Sequence, residues 1–378
     1  MAKKENISVL CVTANSDRPE TETFIGLHRA GVDVAVLMPR EARYFERLRA
    51  AGLDMTGLTL RSRCDFRGQA VIARKLREYK PDILHLFNNR AINNGLLASW
   101  GMPVKVVAYR GIVGNVSYYY PISYTTFLNP GVDRVVCVAE AVRDYFVSGS
   151  FLGLCWPASR FVTIHKGHDL SWYDAPASDL REFGVPEDAF VVACLANVRP
   201  RKGIEVLIRS ARFLNKDLPI HFLLVGEGMD QPRILKEIEQ SPLKERFHIA
   251  GHREDAPSLM AACQVSVLPA LRREGLPKSI IESMVYECAP IVTNTGGSPE
   301  LVEEGISGFV VPPGDVEALA AAIERLALDP AKCREIGRNA RTRIGEHFKI
   351  GTTIDKTLAL YEELLVPEVP QRDTARSG

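Results

Sequence analysis

The chain has 378 residues, 46% of them apolar and 25% charged, with a formal charge of +1. That is the balance of an ordinary soluble globular protein, and more chain than one hydrophobic core usually organises. A near-neutral charge argues against a nucleic-acid binder, and no apolar run approaches the roughly 18 residues of a membrane span.

The charge is unevenly spread: residues 1–170 carry 22 Lys/Arg against 15 Asp/Glu, the remainder 25 against 31. The excess concentrates in Arg61, Arg63, Arg67, Arg74, Lys75, Arg77 and Lys80. Such a run is either a solvated helix face or a surface for an anionic membrane or phosphorylated acceptor. None of the eight cysteines lies within four residues of another, which excludes zinc-ribbon and C-x-x-C redox spacings and suits a reduced, cytoplasmic protein.

In chain order, two lysines precede an apolar run at 7–13 that has the length of a short signal core. Polar residues from Asn15 to Glu20 follow at once without a small-residue cleavage site, so the run reads as a first strand. Further strands are predicted at 32–38, 83–87, 104–109, 134–138 and 161–165, with helices between them such as 69–79, which stops before Pro81. His85 near the end of the third run has two readings, an acceptor ligand or proton carrier facing a cleft, or a satisfied structural histidine. The aromatic stretches at Tyr118–Tyr120 and from Tyr145 to Trp156 suit core packing if buried, and sugar or membrane contact if exposed. A stretch rich in Asp, Ser, Ala and Pro at 169–186 suits a linker.

The second half repeats the style. Strands are predicted at 190–196, 221–225, 247–250, 265–269, 289–293 and 308–311, with helices at 203–213, 232–240, 256–262, 279–287, 299–303 and 316–327. Continuous apolar strands separated by helices indicate parallel sheets covered on both faces. Two doubly wound, Rossmann-like α/β domains place ligands at the C-terminal strand ends, and if those edges face each other the site is a cleft between the domains. The motifs sit just after strands. Asn197 to Gly203 forms a basic loop before a helix, an anion site carrying Arg201 and Lys202. Gly226-Glu227-Gly228 is a turn that lacks the third glycine of a dinucleotide fingerprint. Glu274-Gly275-Leu276-Pro277 leads into a helix bearing Glu282. Two carboxylates over a helix entrance suit the vicinal hydroxyls of a ribose or hexose, while loop amides suit phosphate.

From Asn197 to Gly314 the chain resembles the donor domain of retaining GT-B glycosyltransferases, family 4. The resemblance rests on Glu274 and Glu282 with seven residues between them, and on the order of the basic loop, the Gly226 turn, Gly251-His252, Gly296-Gly297 and the 305–313 run. It implies that Arg201 and Lys202 hold a donor diphosphate and that Glu274, with the amides of Gly275 and Leu276, meets the transferred sugar. It further implies Glu282 on the ribose, Gly251 and His252 near the base, and Gly296 and Gly297 near the phosphates. Without a D-x-D motif no metal or other cofactor is expected; fixed cations and helix ends would stabilise the leaving diphosphate. The departures are Ala196-Asn197 where many members carry Gly-Arg, a glycine-free loop after the first strand, Lys166 in an Asn-Gly-x-Asp turn, and Arg110 where a histidine is common. Arg110 is not a base at neutral pH but suits an acceptor phosphate or carboxylate.

The expected organisation is therefore an acceptor domain over 1–168, a linker over 169–186 and a donor domain over 187–345. A helix over 346–366 returns to the first domain, and a disordered tail covers 367–378. The expected partners are a UDP- or GDP-linked sugar and a glycan or lipid-linked acceptor, with peripheral inner-membrane contact through the basic first domain and no nucleic acid. The rival readings are an epimerase or phosphorylase of the same architecture and a non-catalytic donor-binding protein.

Overall fold

The computed structural model describes residues 6–150, 152–153 and 155–366; the tail at 367–378 lies outside the described residues. The first domain runs β1 (Ser8–Val12), α1 (Arg18–Arg29), β2 (Asp33–Met38), α2 (Phe45–Ala50), β3 (Asp54–Gly57), α3 (Phe66–Tyr79), β4 (Ile83–Leu86), α4 (Asn89–Ala98), β5 (Lys105–Arg110), β6 (Arg134–Cys137), α5 (Glu140–Val147) and β7 (Phe161–Thr163). The second runs β8 (Phe190–Leu195), α6 (Ile204–Ser210), β9 (Ile220–Val225), α7 (Pro232–Glu239), β10 (Phe247–Gly251), α8 (Ala256–Ala261), β11 (Val265–Leu268), α9 (Lys278–Val285), β12 (Ala289–Thr293), β13 (Phe309–Val311) and α10 (Val316–Leu328). α11 (Pro330–His347) and α12 (Ile350–Leu365) close the chain.

Every described strand pair is parallel, in the orders β3-β2-β1-β4-β5-β6-β7 and β10-β9-β8-β11-β12-β13. Valine and leucine fill the central strands on both faces; Val9 to Val12 and Phe222 to Val225 are fully enclosed. In each sheet the order reverses between the first strand of the domain and its neighbour, β1/β4 and β8/β11. These switch points open crevices at the strand ends. The helix that sequence spacing predicts at 69–79 begins earlier, at Phe66, because Asp65 caps it by accepting the Gly68 N–H at 3.0 Å. The predicted helix at 299–303 is a single 3₁₀ turn, Ser298–Leu301.

Three features tie the domains together. α12 lies back along α1, with Ile354 filling the space beside Gly26. Leu276, in the loop after β11, packs against the cores of both domains. The Glu300 carboxylate reaches the N-terminus of α5, accepting the N–H groups of Glu140 and Ala141 at 2.9 Å each. Its other neighbour is His165 Nε2 at 2.8 Å. Burial alone would raise the Glu300 pKa, but His165 and the two amides hold it below the ordinary carboxylate value.

Candidate active site

The second domain's switch point brings two loops together. After β8 the chain leaves through Asn197 into a 3₁₀ turn, Pro200–Lys202, before α6. After β11 it runs through Arg273 and Glu274 to α9. The loops are joined by Leu271 N–H on Arg201 O at 2.8 Å. Arg273 holds φ +62°, a left-handed conformation uncommon for a side chain of that size, immediately before Glu274.

Glu274 is only 4% exposed. Its carboxylate accepts from Arg201 Nη1 at 2.9 Å and from Lys202 Nζ at 3.1 Å. Two cations therefore share one carboxylate, and the cluster keeps a net positive charge toward the cleft. Burying one carboxylate is sustained by this double pairing.

Above the cluster the two domains enclose a cleft of about 650 Å³. Its lining includes Asn197, Arg201, Lys202, Gly226, His252, Pro277 and Glu282 from the second domain and Arg18, Arg43 and Tyr44 from the first. Asn197 Oδ1 accepts the Glu227 N–H at 3.1 Å, which pins the Gly226 turn to the basic loop. Gly226 has φ +140°, and a Cβ there would stand 2.1 Å from Ala196 O. Its N–H bonds Gly251 O at 2.7 Å, so Gly251 supports that turn. Glu282 is held at 3.0 Å from Lys278, one turn earlier on α9.

Gly275 and Gly297 lie at the contact between domains, and Gly296 lies against the Glu274 loop behind it. A Cβ on Gly275 would stand 1.9 Å from Gly111 O, and one on Gly297 2.5 Å from Ala139 Cβ. Gly296 passes equally close to Glu274 O. These glycines let the Glu274 loop seat against the first domain.

Two sequence candidates are corrected. His85 does not face the cleft. Its place in β4 turns the ring toward α12, where Nδ1 meets Tyr361 Oη at 2.7 Å and the Phe87 ring lies tilted alongside at 4.2 Å. Burial pulls its pKa down to about 3, so it is a neutral core histidine. Arg110 is likewise enclosed, over the Phe127 ring at 4.9 Å, with Nε donating to Ile112 O at 2.9 Å and Nη2 to Gly114 O. Burial lowers its pKa to about 10, leaving it charged. It braces the 111–114 loop, whose Gly111 and Val113 touch the Glu274 loop, and it presents no cation to an acceptor.

Sequence reasoning missed Arg18, Arg43, Tyr44 and Glu300. Arg18 was legible only as the residue after a helix-capping Asp17; its guanidinium lies over Trp172 at 4.9 Å and donates to Trp172 O at 3.1 Å. Nothing local marks Arg43 and Tyr44, which follow β2 and reach the cleft through the placement of the domains. Among the described residues, no group of three or more His, Cys, Asp or Glu stands together as a metal site.

Two parallel-sheet domains with a basic switch point beneath an interdomain cleft define a GT-B protein. Residues 177–343 match the model of glycosyl transferases group 1, and residues 22–172 that of glycosyltransferase family 4. This chain belongs to that family of glycosyltransferases. It is 24% identical over 80% of its length to an Escherichia coli UDP-Gal:alpha-D-GlcNAc-diphosphoundecaprenol alpha-1,3-galactosyltransferase, spanning 80% of that protein. It is also 28% identical to the alpha-maltose-1-phosphate synthase of Mycolicibacterium smegmatis, over 61% of this chain and 63% of that one. Anabaena HepE in complex with UDP superposes with a TM-score of 0.76 at 20% identity, covering 94% of this chain and all of that one. A Rickettsia africae glycosyltransferase superposes with a TM-score of 0.78 at 19% identity, over 96% and 99% of the two chains.

Proposed function

We propose that the enzyme moves a sugar from a nucleoside-diphosphate sugar to a glycan or lipid-linked saccharide, with retained configuration and without a metal ion. Its setting is the synthesis of cell-surface polysaccharide or glycoconjugate at the cytoplasmic side. The observation that carries this reading is Glu274 clasped by Arg201 and Lys202 beneath a cleft that also holds Glu282.

Breaking a sugar–phosphate bond leaves positive charge on the anomeric centre and negative charge on the departing diphosphate. Arg201 and Lys202 answer the second from fixed positions. Glu274, freed from part of its pairing when phosphate arrives, turns to the sugar hydroxyls, and Glu282 takes the ribose. In this reading the acceptor hydroxyl attacks on the face that the diphosphate leaves, which keeps the anomeric configuration. The departing phosphate then takes the acceptor's proton, which requires no protein base. Uracil is the favoured base, in line with UDP in HepE and UDP-Gal in the name of the Escherichia coli relative.

A thermal-shift screen of nucleotide sugars, followed by nucleoside diphosphate release with and without EDTA, tests this. Release that needs an acceptor and persists in EDTA is expected. Loss in EDTA restored by Mg²⁺ would refute metal independence, and conversion of the sugar nucleotide alone would identify an epimerase.

A further inference from the structure

The outer flank of the first domain takes no part in the cleft. There α4 ends at Ala98, and Trp100 follows with 83% of its surface exposed. A groove of about 860 Å³ runs between Leu97, Trp100 and Met102 on one side and Ile122 and Tyr124 on the other. It shares no lining residue with the donor cleft. Ile122 is 51% exposed, and Tyr119 and Tyr120 stand exposed just before it. Asn93 Nδ2 donates to Thr125 Oγ1 at 2.9 Å, so this segment is fastened to α4 and its apolar side chains are held outward. A fixed group of exposed Trp, Leu, Ile and Tyr side chains marks an interaction surface.

The surrounding charge selects the partner. Arg63 lines the groove, and Arg77 and Lys80 line a second hollow of about 380 Å³ that meets it at Met102 and Val104. Residues 60–103 contain eight Lys/Arg against three Asp/Glu. The acids are engaged: Asp65 accepts from Arg61 and Gly68 amides, Asp82 from Ser8, and Glu78 lies 4.0 Å from Arg74. Asp133 beside the groove is taken by Lys105 at 3.1 Å and by the Val106 amide at 2.8 Å. The free cations thus frame an apolar centre.

We infer that this flank docks on the surface of a bilayer containing anionic lipid. Trp100, Ile122 and the tyrosines enter the headgroup boundary, while Arg63, Arg77 and Lys80 meet lipid phosphates. The inference deepens the lipid-linked acceptor reading, on which it rests for its purpose, but it is tested without donor or acceptor.

The experiment is co-sedimentation of the full chain with vesicles of phosphatidylcholine alone or mixed with phosphatidylglycerol. Pelleting is expected with the mixed vesicles and little with the neutral ones. Trp100→Ser with Ile122→Ser should weaken the partition at least tenfold, and Arg77→Glu or Lys80→Glu roughly fivefold or more for each charge. These exposed side chains lie away from the cleft, so UDP binding by calorimetry should match the wild type and show that the variants fold. Binding to neither vesicle, equal binding to both, or binding untouched by the Trp100 change overturns the inference. So does a dimer in light scattering that Trp100→Ser dissolves while no vesicle binding is seen. Failure of the donor reading would appear separately, as a wild type that binds vesicles but no nucleotide.

Discussion

At the scale of single residues, the two glutamates of the site differ in their surroundings. Glu274 is buried and held by two cations, whereas Glu282 lines the open cleft beside Lys278. Glu274→Ala should lower kcat by roughly two to three orders of magnitude while nucleotide affinity changes little. Glu282→Ala should instead weaken nucleotide binding by roughly tenfold or more, the worth of hydrogen bonds to a charged acceptor. Steady-state kinetics beside calorimetry check the split; an equal loss of kcat and affinity in both variants would contradict it. His85 gives a test by pH. Its folded pKa of about 3 lies below the ordinary value of 6.5. Between those values the unfolded chain binds a proton that the native chain refuses, so stability falls as pH drops through that window. Between pH 7 and pH 5 the loss from this one group is about 2 kcal/mol, and His85→Gln should remove it in urea titrations at the two pH values. Both readings of His85 fit a sequence, because alternation along a strand does not say which sheet face the cleft lies on. Only the return of α12, bringing Tyr361 from far along the chain, decides it.

At the scale of elements, the sheets are legible because parallel strands buried on both faces read as unbroken Val/Ile/Leu runs. The short edge strand β3 (Asp54–Gly57) lacks such a run and is not predicted, since its residues are half-exposed. The loops carry less in their own letters. Arg110 stands where the resemblance places a histidine, and an acceptor contact is expected of it, yet its guanidinium donates to carbonyls of its own loop. A planar guanidinium serves Ile112 O and Gly114 O together and lies over Phe127 at 4.9 Å, a geometry that an ammonium does not reproduce. Arg110→Lys should therefore leave nucleotide affinity intact and lower kcat by roughly tenfold or more. The cause would be misplacement of the 111–114 loop against Glu274, with the same loss for neutral and anionic acceptors. A defect confined to anionic acceptors would return Arg110 to the acceptor site.

At the scale of the whole molecule, the cleft is built by the approach of the two domains. Gly275 sits against Gly111, Glu300 caps α5, and α12 fastens the second domain's end to α1. Sequence order identifies one wall of this cleft, because Arg201, Lys202, Glu274 and Glu282 lie within one domain and follow its own strands. The opposite wall, with Arg18, Arg43 and Tyr44, depends on how two domains face each other, and short-range pattern contains no such information. The central claim is that the Glu274 cluster and Glu282 hold a nucleoside diphosphate, and titration calorimetry with UDP and GDP tests it most directly. One of the two should saturate a single site on the wild type, UDP more tightly, and Lys202→Ala should weaken it by roughly tenfold or more through loss of a charge-assisted contact. No heat of binding with either nucleotide, from a chain shown to be folded, would contradict the account.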